Sequence, residues 1–294
     1  MVGGYGFWFG REKVMGHVGR RAGWAAVVVA AWLAAWMAVL AGGVAVARAA
    51  PVDRCLAIAK GPGGVHLATV QPAKLALGEV GLTFVGHATF EIESAAGIRI
   101  ATDFNDLFRP GRVPDIVTMN RAHNTHFTDF PPAGIKHILR GWNPGGGPAS
   151  HDLSLGDVRV RNVPTNTRWG EGGSFGAYGN SIFIFEIGGL CIGHLGHLHH
   201  TLTPQQLGAI GHMDVLLVPV DGGYTMDLGG MVEVLKSLHA RLIIPMHYFS
   251  GYTLQRFLER VRDEFPVEMA DSNRIVLSQG TLPAEPKILV LPGN

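Results

Sequence analysis

Apolar and β-branched residues recur in short runs from Gly81 onward: Leu82 to Val85, Ile98 to Thr102, Ile116 to Met119, Val158 to Val163, Ile182 to Ile187, Val215 to Val220 and Leu242 to Met246. Runs of this length between turn-forming residues are strand signals, and those without an alternating polar face predict strands buried on both sides. Helical signals enter later. Thr203-Pro204-Gln205-Gln206 supplies a Thr N-cap, Pro at the first helical position and Gln at the third, which predicts a helix start. Amphipathic spacing over Met231 to Leu238 and Leu254 to Phe265 predicts two more helices. Strands first and helices afterwards predict an α/β fold of layered sheets covered by helices. Glycine and proline gather in Asn143-Pro144-Gly145-Gly146-Gly147-Pro148 and Gly170-Glu171-Gly172-Gly173, which read as loops near the mouth of a site.

A different pattern precedes all of this. Ala22 to Ala47 is almost free of polar groups, follows Arg20-Arg21 and leads into the small-x-small triplet Ala47-Arg48-Ala49. Residues 1–49 therefore read as an export signal. The apolar run exceeds the usual signal core of about 7–15 residues and is long enough to span a bilayer, so an uncleaved N-terminal membrane anchor competes with that reading. Either one places residues 52–294, expected as a single domain, in the periplasm or outside the cell. Cys55 and Cys191 are the two cysteines. In an oxidising compartment they form one disulfide tying the N-terminal side to the body, or else stay as two unpaired thiols.

With 294 residues and 47% hydrophobic content the chain has ample material for a core. Lys+Arg 24 against Asp+Glu 23 leaves a net charge of +1, and much of the basic excess sits in Arg11, Lys13, Arg20 and Arg21. The domain has no electrostatic footprint for nucleic acid. Its chemistry lies in histidine. His123 and His126 form one cluster, His194, His197, His199 and His200 a second, and His247 stands alone after the last strand-like run. Imidazole is the commonest protein ligand for zinc-like ions, so such clusters at strand ends point to a metal-centred site.

Several ordered landmarks carry a resemblance. They are Phe84-Val85-Gly86-His87-Ala88-Thr89-Phe90, Ala101-Thr102-Asp103, Asp115 to Asn120, Leu202 to Leu207, Asp214 to Val220 and Ile244-Pro245-Met246-His247-Tyr248. Over about Gly81 to Ser250 the chain resembles the metallo-β-lactamase superfamily, and within it the branch of ascorbate-phosphate lactonase-like and N-acyl-phosphatidylethanolamine phospholipase D-like proteins. The resemblance implies a four-layer αββα sandwich with metal ions held by loops at one edge of two sheets, and hydrolysis by metal-activated water.

The match is incomplete at the ligands. The family's HxHxDH motif falls on Arg121, His123, Thr125 and His126, so one histidine has become Arg and the aspartate Thr. No histidine occurs in Val163 to Thr167, where the family has its middle one, and the aspartate that bridges two metals in many relatives is His197 here. The last ligand is kept as His247. The resemblance thus implies a metal held by His126, His197 and His247, with His123 or His194 completing the set. His194 also reads as a satisfied strand histidine, and His199 and His200 as solvent-facing loop residues. Asp221 is the expected rescuing carboxylate or proton acceptor, ahead of Asp103 and Asp129. Arg121 either clamps an anionic carboxylate or phosphate or makes a structural salt bridge. His87 either joins the catalytic group or bonds backbone beneath it.

Two divalent ions about 3.5 Å apart at an effective dielectric of about 20 repel by roughly 19 kcal/mol, and carboxylate ligands normally offset much of that. With Thr125 and His197 at the acidic positions and Arg121 beside them, the expectation is one strongly bound ion. Zinc suits an all-imidazole set, and other divalent transition metals also accept it. The expected function is an exported metal-dependent hydrolase acting on an ester, lactone, amide or phosphoester of a small molecule, an anionic one if Arg121 clamps it, with a membrane tether if the N-terminal segment stays attached. The competing reading is a hydrolase fold that binds a metal or anionic ligand without turnover.

Overall fold

The computed structural model of the chain describes residues 55–56, 75–168 and 176–293. The export signal or anchor at 1–49 and the Gly170 to Gly173 loop lie outside the described residues. Those described belong to one compact unit, Val52–Asn294. Among them no helix is long and apolar enough to cross a membrane.

Two sheets carry the fold. The first is six-stranded and contains β1 (Val80–Gly86), β2 (Thr89–Ser94), β3 (Arg99–Ala101), β4 (Ile116–Met119), β5 (His137–Arg140) and β13 (Arg274–Leu277), in the order β13-β1-β2-β3-β4-β5. The second is eight-stranded and adds β6 (Asp152–Leu155), β7 (Val158–Thr167), β8 (Gly176–Ile187), β9 (Leu190–His194), β10 (Val215–Pro219), β11 (Leu242–Met246), β12 (Val267–Met269) and β14 (Lys287–Val290). Its order is β12-β14-β11-β10-β9-β8-β7-β6. The helices are α1 (Pro204–Ile210), α2 (Leu228–Leu238) and α3 (Gly251–Val261).

The period-2 alternation of strand side chains explains why the runs look uniformly apolar. In β8, Phe183 and Phe185 face the first sheet's Leu82, Phe90, Ile92 and Ile100, while Ile182 and Ile184 face the helices. The split repeats in β10, where Val215 and Leu217 join the inter-sheet core and Leu216 and Val218 pack with Met231, Leu235 and Phe257 of α2 and α3. Each such strand buries both faces. The expected α/β sandwich is present, with the described helices on the eight-stranded sheet. The outer face of the other sheet is covered by loop side chains, Phe104, Ile135, Phe127 and Trp142, around Val117 and Met119.

Local signals hold where they were strong. Thr203 caps α1 with the full capping box and Pro204 opens the helix. The other two helices begin three residues before the apolar pattern does, because Asp227 and Ser250 accept hydrogen bonds from Gly230 N and Thr253 N and thereby fix the first turn. Cys55 and Cys191 form a disulfide, which ties Cys55 to β9.

Strands β9, β10 and β11 run parallel, as do β3 and β4. Their C-terminal ends therefore release chain at common edges, and at these ends stand Asp103, Arg121, His197, Asp221 and His247. His87 follows β1 and joins them through its carbonyl, which accepts from His247 N at 2.7 Å.

Candidate metal centre

His87, Asp103 and His247 all adopt left-handed backbone conformations, with φ of 52°, 43° and 57°. Non-glycine residues pay for this conformation and keep it where the surroundings over-determine it, which happens most often at functional sites. The strain has a visible result: ring nitrogens of His87, His126 and His247 come within 4.8 Å of one another. His126 and His247 are stacked, with centroids 5.1 Å apart and their Nε2 atoms at 3.2 Å. The His87 ring lies 4.2 Å from that of His247 and its Nε2 is buried without a partner.

A carboxylate stands behind each of the stacked rings. His126 Nδ1 lies 2.7 Å from Asp103 Oδ2, and His247 Nδ1 lies 3.0 Å from Asp221 Oδ2, although off the line of a good hydrogen bond. Ionised carboxylates only accept, so both Nδ1 atoms carry the proton and both Nε2 atoms present lone pairs. Two bare lone pairs facing each other at 3.2 Å repel unless a cation lies between them. Two nitrogens bound to one tetrahedral zinc at about 2.05 Å are about 3.3 Å apart, so the spacing fits one ion. The orphaned His87 Nε2 offers a third donor.

The electrostatics keep the His126 and His87 rings neutral. Burial first, then the neighbouring His247, holds His126 well below the ordinary imidazole range. Burial and then His247 and His126 lower His87 to about 3. Burial pushes the fully enclosed Asp103 up to about 6 against the opposing pull of His194 and the Asn120 N–H, which leaves it ionised at neutral pH. Burial also works to raise Asp221, but the close approach of His247 Nδ1 and the hydrogen bonds from Thr225 overcome it and hold that carboxyl well below the carboxylate range.

Asp221 is therefore not the expected proton acceptor. Its Oδ1 accepts from Gly223 N, Tyr224 N and Thr225 N, and its Oδ2 from Thr225 Oγ1 at 2.6 Å. With its lone pairs engaged it positions His247. Asp103 serves His126 in the same way, and Asp129 is exposed.

His197 is near the group but turned differently. Its ring centroid lies 4.8 Å from that of His126 and 4.9 Å from that of His247. Its Nδ1, however, receives Arg121 at 3.0 Å. A guanidinium can only donate, so His197 Nδ1 accepts and the neutral ring carries its proton on Nε2. Burial and then the neighbouring His126, His247 and Arg121 lower this imidazole far below its usual range, so it is neutral. Nε2 has no protein partner among the described residues, and the residue lines a cavity. This geometry makes His197 a hydrogen-bond donor rather than the expected ligand. Gly196 makes the placement possible: at φ 59° a Cβ would come within 2.3 Å of Asn120 Nδ2 and 2.7 Å of Asn180 Oδ1, and Asn180 Oδ1 accepts from His197 N.

Two more expected ligands stand apart. His194 is fully buried and satisfied: Nε2 donates to Ala88 O at 2.8 Å, and Nδ1 accepts from Gly196 N and Asn120 Nδ2. His123 is exposed at the rim with Nδ1 3.1 Å from Thr125 Oγ1, its centroid 5.9 Å from that of His126. His200 accepts from Asn166 N and donates to Thr201 O. His199, read from sequence as a solvent-facing loop residue, instead sits between two arginines, with Arg121 3.2 Å from Nε2 and Arg168 Nε 3.3 Å from Nδ1. Nothing in the spacing of His199 signals this contact, because both partners come from distant strand ends.

Two facing sheets with histidines collected at the C-terminal ends of parallel strands define an α/β sandwich with an edge metal site. The beta-lactamase superfamily domain matches residues 81–247, and the chain belongs to the metallo-β-lactamase superfamily. A UPF0173 metal-dependent hydrolase of Salinibacter ruber is 25% identical over 214 residues, covering 63% of this chain and 91% of the relative. Another, of Archaeoglobus fulgidus, is 25% identical over 230 residues, covering 68% and 96%. Among solved structures, a Thermotoga maritima protein assigned to the Zn-dependent hydrolases of the metallo-β-lactamase superfamily is 30% identical, with a TM-score of 0.54 over 73% of this chain and 100% of that one.

Proposed function

We propose that this protein is a metal-dependent hydrolase with a single divalent ion, zinc being the ion its donors suit, held by His87, His126 and His247. The observation that carries the reading is the pair of carboxylate-backed imidazoles whose Nε2 atoms face each other at 3.2 Å beside the unpartnered His87 Nε2. The names of the relatives support the same reaction class. When bound, such an ion supplies Lewis acidity and lowers the pKa of a coordinated water from about 15.7 to about 7. The chain's own residues do the rest. Asp103 and Asp221 hold the Nδ1 protons and aim the ligands. His197 offers Nε2–H to an oxygen in the cavity, of about 630 Å³, that lies over the site. Phe249 and Tyr224 line that cavity with aromatic surface.

The proposed setting is outside the cytoplasm. The Cys55–Cys191 disulfide supports an oxidising compartment, consistent with residues 1–49 acting as an export signal or anchor. Elemental analysis of the purified full chain, together with hydrolysis of aryl esters, lactones and phosphodiesters, tests the function. One equivalent of metal, with turnover abolished in His126→Ala and His247→Ala, is expected. Two tightly held equivalents overturn the single ion, and bound metal without turnover on any of these classes favours the binding-protein reading.

A further inference from the structure

Arg121 leaves β4 at the isolated bridge to Asn180 and turns into the cavity with its guanidinium half-buried. Among the described residues it meets no carboxylate. It donates to His197 Nδ1 at 3.0 Å and lies 3.2 Å from His199 Nε2. A partly desolvated charge without a counter-ion is costly to bury, and charge-assisted contacts to a planar anion are the strongest available to it.

The hydrogen-bond inventory of the network adds a second argument. Arg121 and Arg168 only donate. His199 Nδ1 accepts from Arg168 Nε, so His199 Nε2 carries a proton and donates to His197 Nδ1 at 2.8 Å, and its 3.2 Å approach to Arg121 is a contact between two donors rather than a hydrogen bond. With that assignment His197 Nδ1 is shared by Arg121 and His199, and the group left facing the cavity is His197 Nε2–H beside the Arg121 guanidinium. The cavity lining contains both arginines and no acidic residue. Asp221, at the end of β10, is saturated by backbone N–H groups and Thr225. The opposite wall is apolar: Tyr224 and Phe249 meet edge to face, with centroids 5.3 Å apart.

From this arrangement we infer that the cavity receives an anionic group, a carboxylate or a phosphate-type oxyanion, against Arg121 and His197, with an attached apolar group lying along Tyr224 and Phe249. As a statement about substrate class it rests on the hydrolase reading. As a statement about binding it does not, and the test separates the two.

The probes are 3-phenylpropanoate, phenylphosphonate and the neutral 3-phenylpropanamide, titrated calorimetrically into the full chain with and without added zinc. In the chelator-treated protein both anions are expected to bind roughly 10- to 100-fold more tightly than the amide, the range set by charge-assisted hydrogen bonds. The tighter of the two identifies the carboxylate or the phosphate-type source. Arg121→Gln is expected to abolish the preference, Arg121→Lys to restore part of it, and His247→Ala to lose metal while keeping it. Arg168→Gln, altering an exposed side chain, is expected to weaken both anions and serves if Arg121→Gln does not fold. Equal binding of amide and acids, or an undiminished preference in Arg121→Gln, overturns the inference and leaves the hydrolase reading intact. Anion preference in a protein that binds no metal and hydrolyses nothing upholds the subsite and removes the hydrolase.

Discussion

Asp103→Asn changes one atom and tests the assignment of protons on which the site depends. In the wild type, Asp103 Oδ1 accepts from Asn120 N at 2.8 Å and Oδ2 faces His126 Nδ1 at 2.7 Å. Asparagine tolerates the left-handed backbone at this position and keeps the first contact through its carbonyl oxygen. Its NH₂ then confronts His126 Nδ1, which must give up its proton. The proton moves to Nε2, where it points at His247 Nε2 3.2 Å away and blocks a lone pair needed for a metal. Loss of such an outer partner weakens metal binding by about 10- to 100-fold. Stability of the metal-free protein moves the other way. The rise of Asp103 from 3.8 to about 6 corresponds to about 3 kcal/mol of cost for keeping it ionised. Because the folded state binds this proton more tightly, wild-type stability falls as pH rises from 3.8 to about 6 and stays lowered above that. The variant lacks this contribution. Urea unfolding with a chelator should therefore show equal stabilities below pH 3.8 and an advantage of up to about 3 kcal/mol for Asp103→Asn above pH 6. Zinc at 100 times the wild-type dissociation constant adds about 2.7 kcal/mol to the wild type and about 0.4–1.4 kcal/mol to the variant, and so narrows the gap by about 1.3–2.3 kcal/mol. Wild-type zinc affinity in Asp103→Asn, measured by chelator competition, would refute the tautomer argument.

Three further outcomes follow from the same geometry. His197→Ala should keep its metal in chelator competition while kcat falls about 10²- to 10³-fold, as expected for a lost donor to a developing oxyanion, whereas His87→Ala and His247→Ala lose the metal; metal loss in His197→Ala would make it a ligand after all. Gly196→Ala should lower stability in urea by more than about 2 kcal/mol, since both the positive φ and the Asn120 contact oppose a Cβ, and a neutral result would mean that this turn is free to relax. Cys191→Ala should cost about 2–5 kcal/mol by removing a cross-link across 136 residues, read as a lowered urea midpoint that reductant reproduces in the wild type.

The parts of the fold legible in the sequence are those in which each residue has one neighbourhood to satisfy. Ile182 to Ile187 and Val215 to Val220 are apolar at every position because both faces are buried, so their runs stand out without any partner being known. The strand Thr89–Ser94 is quieter, since Glu91 and Glu93 alternate with Phe90 and Ile92, and β6 is an edge strand with two exposed positions in four. The site divides along the same line. That His126, His197 and His247 meet was readable from strand ends, and their centroids lie within 5.1 Å of one another. Which of them offers a lone pair was not, because that is decided by Asp103, Asp221 and Arg121 through hydrogen bonds that cross from one chain segment to another. His87 meets His126 and His247 by a backbone turn that spacing does not encode, and His194 is turned from them to bond Ala88 O.

The carboxylates missing from the ligand positions are present one contact further out, and this bears on how many ions the site holds. Asp103 and Asp221 carry two negative charges behind His126 and His247, enough to balance one divalent ion through the rings they hold. The Arg121 charge is left over. A second ion in the region of Arg121 and His197 would add two further positive charges with no carboxylate to meet them, against a repulsion of roughly 19 kcal/mol at about 3.5 Å and an effective dielectric of about 20. An incoming monoanion balances Arg121. The proposed single ion and the proposed anionic substrate are thus two consequences of one charge count. A neutral substrate would leave the half-buried guanidinium uncompensated.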